Sequence, residues 1–221
     1  MSNAGPFVVA IDGPAASGKG TLARRLAERF GLAHLDTGKL YRATALLVLE
    51  AGADPADPQA ATAAARRVDP ALLSDPRLSS EAVARASSLV AAIPDVRDAL
   101  LAMQRDFAAH PPVPAHGAVL DGRDIGTAVC PDAVVKLFVT ASPETRADRR
   151  VRELRERGAA VIYGDVLQDM TERDARDSER RVAPLAAAPD AVTIDTTGLD
   201  AGQVFELASG IIERALAAHG C

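Results

Sequence analysis

Two rhythms of apolar residues run along the chain, short unbroken apolar runs and longer stretches with a helical repeat. Residues 7–11 (FVVAI) are continuously apolar and β-branched, and the run stops at Asp12-Gly13-Pro14, which predicts a strand buried on both faces. Over residues 18–30, Leu22, Leu26 and Phe30 recur at helical spacing with arginines between them, so an amphipathic helix follows, ended by Gly31. A short apolar strand over 32–35 leads through Asp36-Thr37-Gly38 into a second helix, whose Leu40, Ala43, Leu47 face continues to Glu50. Residues 52–78 carry Pro55, Pro58, Pro70 and Pro76 and read as loops around one short helix. Helices over 80–92 and 94–109 come next, the second with Pro94 in its first turn, then a proline-rich linker over 110–116. Buried strands are predicted at 118–120 and 134–139, separated by a loop over 121–132. Charged helices over 143–157 and 166–181, a strand over 191–194 and a final helix marked by Val204, Leu207 and Ile211 complete the chain.

Strands alternating with helices imply an α/β fold with a parallel sheet flanked by helices, because parallel neighbours require long right-handed crossovers. Ligands in such sheets bind beyond the carboxyl ends of the strands. The loops at 12–18, 36–38 and 121–126 fall there, and all three carry Asp and Gly.

Composition adds limits. Hydrophobic residues are 48% and charged residues 25% of 221, enough for one large domain or a core with a smaller insertion. Aromatics are only 3%, so Ala, Val, Leu and Ile must fill the core. A net charge of -5 removes the basic signature of a dedicated nucleic-acid binder, although local basic sites are compatible with it. Cys130 and Cys221 have neither disulfide-framework nor metal-ligand spacing, and no apolar stretch approaches the roughly 18 residues of a membrane span. Residues 1–5 lack the regions of a signal peptide. A soluble, cytoplasmic protein is expected.

The most specific chemical signal is Gly13-Pro14-Ala15-Ala16-Ser17-Gly18-Lys19-Gly20-Thr21, the spacing G-x-x-x-x-G-K between a strand and a helix. Glycines let backbone amides curl round an anion, the helix amino end adds partial positive charge, and Lys19 can reach the β- and γ-phosphates. Gly20 stands where most such loops place the Mg²⁺-touching hydroxyl, with Thr21 one position later. G-K-G-T is the form seen in nucleoside monophosphate kinases such as adenylate kinase, and it weakens a reading as a switch GTPase. The Asn-Lys-x-Asp base reader is also missing, since the chain's only Asn is Asn3.

Three further clusters follow. Thr37 and Arg42, in Asp36-Thr37-Gly38-Lys39-Leu40-Tyr41-Arg42, suit a second phosphate, although a helix cap with a solvated Arg fits equally. Asp121, closing an apolar strand in D-G-R-D-I-G-T, resembles the carboxylate that holds Mg²⁺ directly or through water. Arg123 and Asp124 beside it could also be an exposed ion pair. Arg173, Asp177 and Arg180 fall at i, i+4 and i+7 on one predicted helix face, which suits either a salt-bridged solvated helix or guanidinium forks for phosphate.

I-D-G-P-A-A-S-G-K-G-T, D-T-G-x-L-Y-R, D-G-R-D-I-G-T with P-D-A soon after, and R-D-x-R-D followed by A-P-L resemble bacterial cytidylate kinases, in the family's order across residues 11–185. The resemblance implies transfer of the γ-phosphoryl group of ATP to CMP, and to dCMP, with Mg²⁺, by a monomer that binds small-molecule nucleotides and no nucleic acid or membrane. It places ATP over residues 13–21. The pyrimidine monophosphate falls on Thr37, Tyr41, Arg42, Ser88, Arg97, Arg123, Asp124, Arg173, Asp177 and Arg180, with Lys19, Arg123, Arg173 and Arg180 acting on the transferred group. Asp36 or Asp121 would meet the metal shell through water. The implied organisation is a core over 6–52 and 117–221, a nucleotide-binding insert over 53–110 and a lid over 150–164. Lys39, Cys130 and a stretch between Asp69 and Glu81 without the β-rich part of the insert depart from the family pattern. Another P-loop small-molecule kinase, or a non-enzymatic nucleotide-binding module, remain alternative readings.

Overall fold

The structure is a computed structural model in which residues 5–219 are described; Cys221 and residues 1–4, Asn3 among them, lie outside the described residues. In chain order the elements are β1 (Phe7–Asp12), α1 (Lys19–Phe30), β2 (Ala33–Asp36), α2 (Gly38–Glu50), α3 (Pro58–Ala65), α4 (Glu81–Val90) and α5 (Pro94–Ala109). They continue with β3 (Gly117–Gly122), β4 (Val135–Thr140), α6 (Pro143–Glu156), α7 (Tyr163–Ser178), β5 (Val192–Asp195) and α8 (Ala201–His219). Two 3₁₀ turns, Pro70–Ser74 and Pro76–Ser79, and a π-helical turn, Ile125–Val129, lie between them.

Among the described residues two compact units are present, one of residues 5–35 and 108–219, the other of residues 36–107. The first holds a five-stranded sheet in the order β2-β3-β1-β4-β5. β1 runs parallel to both β3 and β4, and β4 runs parallel to β5. Its central position makes β1 apolar on both faces, as the unbroken FVVAI run predicted. Phe7, Val9 and Ile11, at period two, pack with Leu22, Ala23 and Leu26 of α1 and Val204, Phe205, Ala208 and Ile212 of α8. The β1–β3 register sets Asp12 opposite Gly122, so the loops after both strands leave the sheet together. A separate cluster of Ala147, Val151 and Leu154 from α6 with Val166 and Met170 from α7 binds those helices to each other.

The second unit is helical. Three of its helical starts share one device, an Asp before a Pro: Asp57, Asp69 and Asp75 each accept backbone N–H bonds from the turn that Pro58, Pro70 and Pro76 begin. Ser80 caps α4 in the same way through Val83 N. Small residues let the helices approach, with Leu40 and Ala43 of α2, Ala61 and Ala65 of α3, and Val83, Ala86 and Val90 of α4 all buried.

The element order matches the hydrophobic pattern, with three differences. The 121–132 loop contains the π-helical turn. Residues 70–79 form 3₁₀ turns because two closely spaced Asp-Pro starts leave no room for a longer helix. The second charged helix starts at Tyr163 and ends at Ser178, so Arg180 lies beyond its last turn instead of on its face.

Candidate active site

The nucleotide-loop sequence folds as its glycines require. Gly13 has φ +150°, and a Cβ there would lie 2.0 Å from the Val139 carbonyl oxygen of β4. Gly18, at φ +93°, begins α1. Carbonyls of the loop are held from outside: Arg146 Nη1 donates to Ala15 O at 3.3 Å, and Thr196 Oγ1 to Ser17 O at 3.1 Å. Arg149 reaches Ser17 O at 3.5 Å and Thr196 Oγ1 at 2.9 Å. Burial depresses the Arg149 pKa, yet the group remains a cation. Lys19 is buried and its Nζ donates to Pro14 O at 2.9 Å. Ser17 Oγ, fully buried, has no hydrogen-bond partner among the described residues. A glycine cradle packed against backbone and an orphaned hydroxyl fit a polyphosphate.

Asp121, next to last in β3, lies beside this loop: a Cβ on Gly20 would lie 3.8 Å from Asp121 Oδ1. Its other oxygen meets His34 Nε2 at 2.7 Å. Asp36 closes β2, and a Cβ on Gly38 would come within 3.0 Å of its Oδ1. No group of three or more metal-binding side chains occurs among the described residues.

Two guanidinium groups meet one carboxylate, and the charge of a third, Arg173, acts on it. Arg123 Nε donates to Asp177 Oδ2 at 2.9 Å, and Arg180 Nη2 stands 3.5 Å from Oδ1. Burial pulls the Asp177 pKa upward, but the charges of Arg123, Arg180 and Arg173 outweigh it and hold the carboxyl below its usual range. Arg180 reaches this point from beyond the helix because its Nε donates back to Asp177 O at 3.1 Å. Guanidinium groups set close together in a mostly buried place suit a phosphate. Arg123 and Asp124 are therefore no exposed ion pair: Arg123 turns to Asp177, and Asp124 is 5% exposed.

In the helical unit Thr37 is buried, and its side chain makes no capping bond to α2. The Arg97 guanidinium lies 5.5 Å from the centre of the Tyr41 ring, a cation–π pair that joins two of the expected residues. Arg97 Nη1 donates to Ala91 O at 3.3 Å and Arg42 Nη1 to Leu78 O at 2.8 Å. Ser88 is buried on α4.

Sequence reasoning passed over Asp12, which sits in the I-D-G-P block. It is 4% exposed, and its two oxygens accept the Ile125 and Gly126 amides at 2.7 Å each. Desolvation pushes its pKa up to about 6 against the lowering effect of those two bonds. A carboxylate ending an apolar strand was the signal that singled out Asp121, and it applied here as well. Arg146 was missed because its partners, Ala141 O, Ala15 O and Asp174, are scattered through the chain.

Residues 9–214 match the family model described as cytidylate kinase. The chain belongs to the cytidylate kinase family. The cytidylate kinase of Rhodospirillum rubrum is 62% identical over 206 residues, which cover 93% of this chain and 97% of that one. The cytidylate kinase of Paramagnetospirillum magneticum is 58% identical over 93% of this chain and 97% of its own length. Among solved structures, a sugar kinase from a Janibacter species aligns with a TM-score of 0.51 at 12% identity, over 94% of this chain and 95% of its own, a likeness of fold alone. That fold is the P-loop α/β arrangement expected of the cytidylate kinase family, and no described helix is long and apolar enough to cross a membrane.

Proposed function

We propose that this protein transfers the γ-phosphoryl group of ATP to CMP and dCMP, giving ADP and the pyrimidine diphosphate. The observation that carries the reading is the meeting of Arg123 and Arg180 on Asp177, with the charge of Arg173 acting on the same carboxylate, in a chain whose phosphate loop is packed for a second anion. The acceptor needs no general base, because a phosphate monoester, with a second pKa of about 6, is largely dianionic at neutral pH. What the protein supplies is alignment and relief of charge repulsion.

Residues 13–21 take the ATP phosphates, with Lys19 turning from Pro14 O to the transferred group. Arg123, Arg173 and Arg180 neutralise the acceptor phosphate and the charge that develops in transfer, while Thr37 and Arg42 contact the monophosphate. Asp121, oriented by His34, and Asp36 would hold Mg²⁺ through water, and the metal would screen the β- and γ-oxygens. Asp124, with Ser88 and Arg97, reads the base: the exocyclic amine of cytosine donates to a carboxylate, whereas the uracil carbonyl at that place is repelled. Asp177 accepts from the ribose hydroxyls, and Tyr41 steadies Arg97 by their cation–π contact. Residues 53–110 serve as the nucleotide-binding insert, and segment 150–164 closes over the nucleotides and excludes water. The protein works as a cytoplasmic monomer on free nucleotides.

A coupled assay with ATP and a panel of CMP, dCMP, UMP, AMP and shikimate tests the reading. CMP and dCMP should have the highest kcat/KM, and Asp124→Ala should lose more activity on CMP than on UMP. A preference for any other acceptor in the panel would refute it.

A further inference from the structure

Asp124 occupies the position just before the Ile125–Val129 turn, where an Asp ordinarily folds its own carboxylate back to cap the first amides. It makes no such side-chain bond. The first two amides of the turn go instead to Asp12, a residue more than a hundred positions away, which receives Ile125 N on one oxygen and Gly126 N on the other. Meanwhile Ala128 N and Val129 N close the turn on the Asp124 carbonyl at 2.9 and 3.2 Å, so the backbone of Asp124 is held from both sides. The space around the clamp is closed: a Cβ on Gly126 would lie 3.4 Å from Asp12 Oδ2 and 3.2 Å from Lys136 Cδ.

We infer that Asp12 is a specificity-determining positioning residue: by capping the 125–129 turn from β1 it fixes the backbone from which the Asp124 carboxylate reads the pyrimidine base. The inference rests on the cytidylate kinase reading of Asp124 given above. The same carboxylate joins the start of the phosphate loop to the segment that carries Arg123 and Asp124, through the strand register that sets Asp12 opposite Gly122. Base recognition is thereby tied to the strand from which the phosphate loop springs. Asp12 itself need touch neither nucleotide.

The test uses the full-length enzyme and the ratio of kcat/KM for CMP to that for UMP. Asp12→Asn presents one acceptor and one NH₂ donor to two N–H groups, so one clamp bond is lost and a donor faces a donor. The ratio should fall about tenfold, in the lower part of what a single base-reading contact is worth. KM for ATP should change less than the ratio, because the clamp bonds go to Ile125 N and Gly126 N, outside the phosphate loop. In the Asp124→Asn background, adding Asp12→Asn should lower the ratio no further, since the reader is already gone. A wild-type ratio in Asp12→Asn, or losses that multiply in the double variant as two independent defects would, overturns the inference. Gly126→Ala displaces the clamp while leaving Asp12 in place, and it should lower the ratio in the same direction. Should Asp12→Asn not fold, an unchanged ratio in Gly126→Ala overturns the proposal. Wild-type enzyme that prefers another acceptor is a distinct failure, of the functional reading itself.

Discussion

Arg123 and Asp177, 54 residues apart, are joined by a 2.9 Å hydrogen bond from guanidinium Nε to carboxylate Oδ2. The pair is mostly buried and shares its carboxylate with Arg180. Removing the carboxylate takes from Arg123 its buried ion-pair partner, so Asp177→Ala should cost about 3 kcal/mol of stability at pH 7. Because the folded state holds this carboxyl below its ordinary 3.8, its contribution is present above that value and is lost as the pH falls below it. Denaturant unfolding of wild type and variant should therefore converge in acid. A gap that stayed constant down to pH 3 would contradict the pairing.

Asp12 behaves in the opposite sense. Its folded pKa of about 6 lies above the unfolded 3.8, so wild type is penalised at neutral pH and recovers stability as the pH drops through that window. Relative to Asp12→Asn, wild type should gain up to about 1.4 kcal/mol per pH unit between pH 6 and pH 4. Urea midpoints at several pH values give the difference directly. Parallel curves for the two proteins would rule out the raised pKa.

Two glycines separate stability from nucleotide binding. A Cβ at Gly13 would meet Val139 O at 2.0 Å, and one at Gly117 would meet Phe7 O at 2.2 Å. Both alanine variants should lower the melting temperature. Gly13 lies in the phosphate loop, whereas Gly117 and Phe7 pair at the amino ends of β3 and β1, away from it. Calorimetric titration should thus find ATP affinity lost in Gly13→Ala and retained in whatever fraction of Gly117→Ala is folded.

Lys19 Nζ donates a 2.9 Å bond to Pro14 O, which a bound phosphate would replace. Lys19→Met keeps the apolar stem and removes the charge. A kcat lower by about 10²-fold is expected, the scale seen on removing one electrostatic donor from a transition state. Circular dichroism should show the wild-type fold. Near-normal turnover would remove the phosphate-loop assignment.

Nine consecutive residues, 13–21, build the phosphate loop, which is why it is legible without a fold. The strands and helices are legible for a similar reason, since burial on both faces of β1 or on one face of α1 is written as local periodicity. Arg180 shows where that reasoning stops: helical spacing put it on the face of Arg173 and Asp177, but the helix ends two residues earlier. It reaches the same carboxylate by a different path.

Local spacing and turn chemistry were enough to settle the order of elements, the anion loop and the family resemblance, because each depends on residues near one another in the chain. The partners of Arg123 and of Asp12 were decided only in three dimensions. They follow from the strand order β2-β3-β1-β4-β5, which sets Asp12 beside Gly122 and brings the start of the 125–129 turn onto its carboxylate. No periodicity along the chain encodes which strand ends become neighbours; that choice belongs to the packing of the whole sheet.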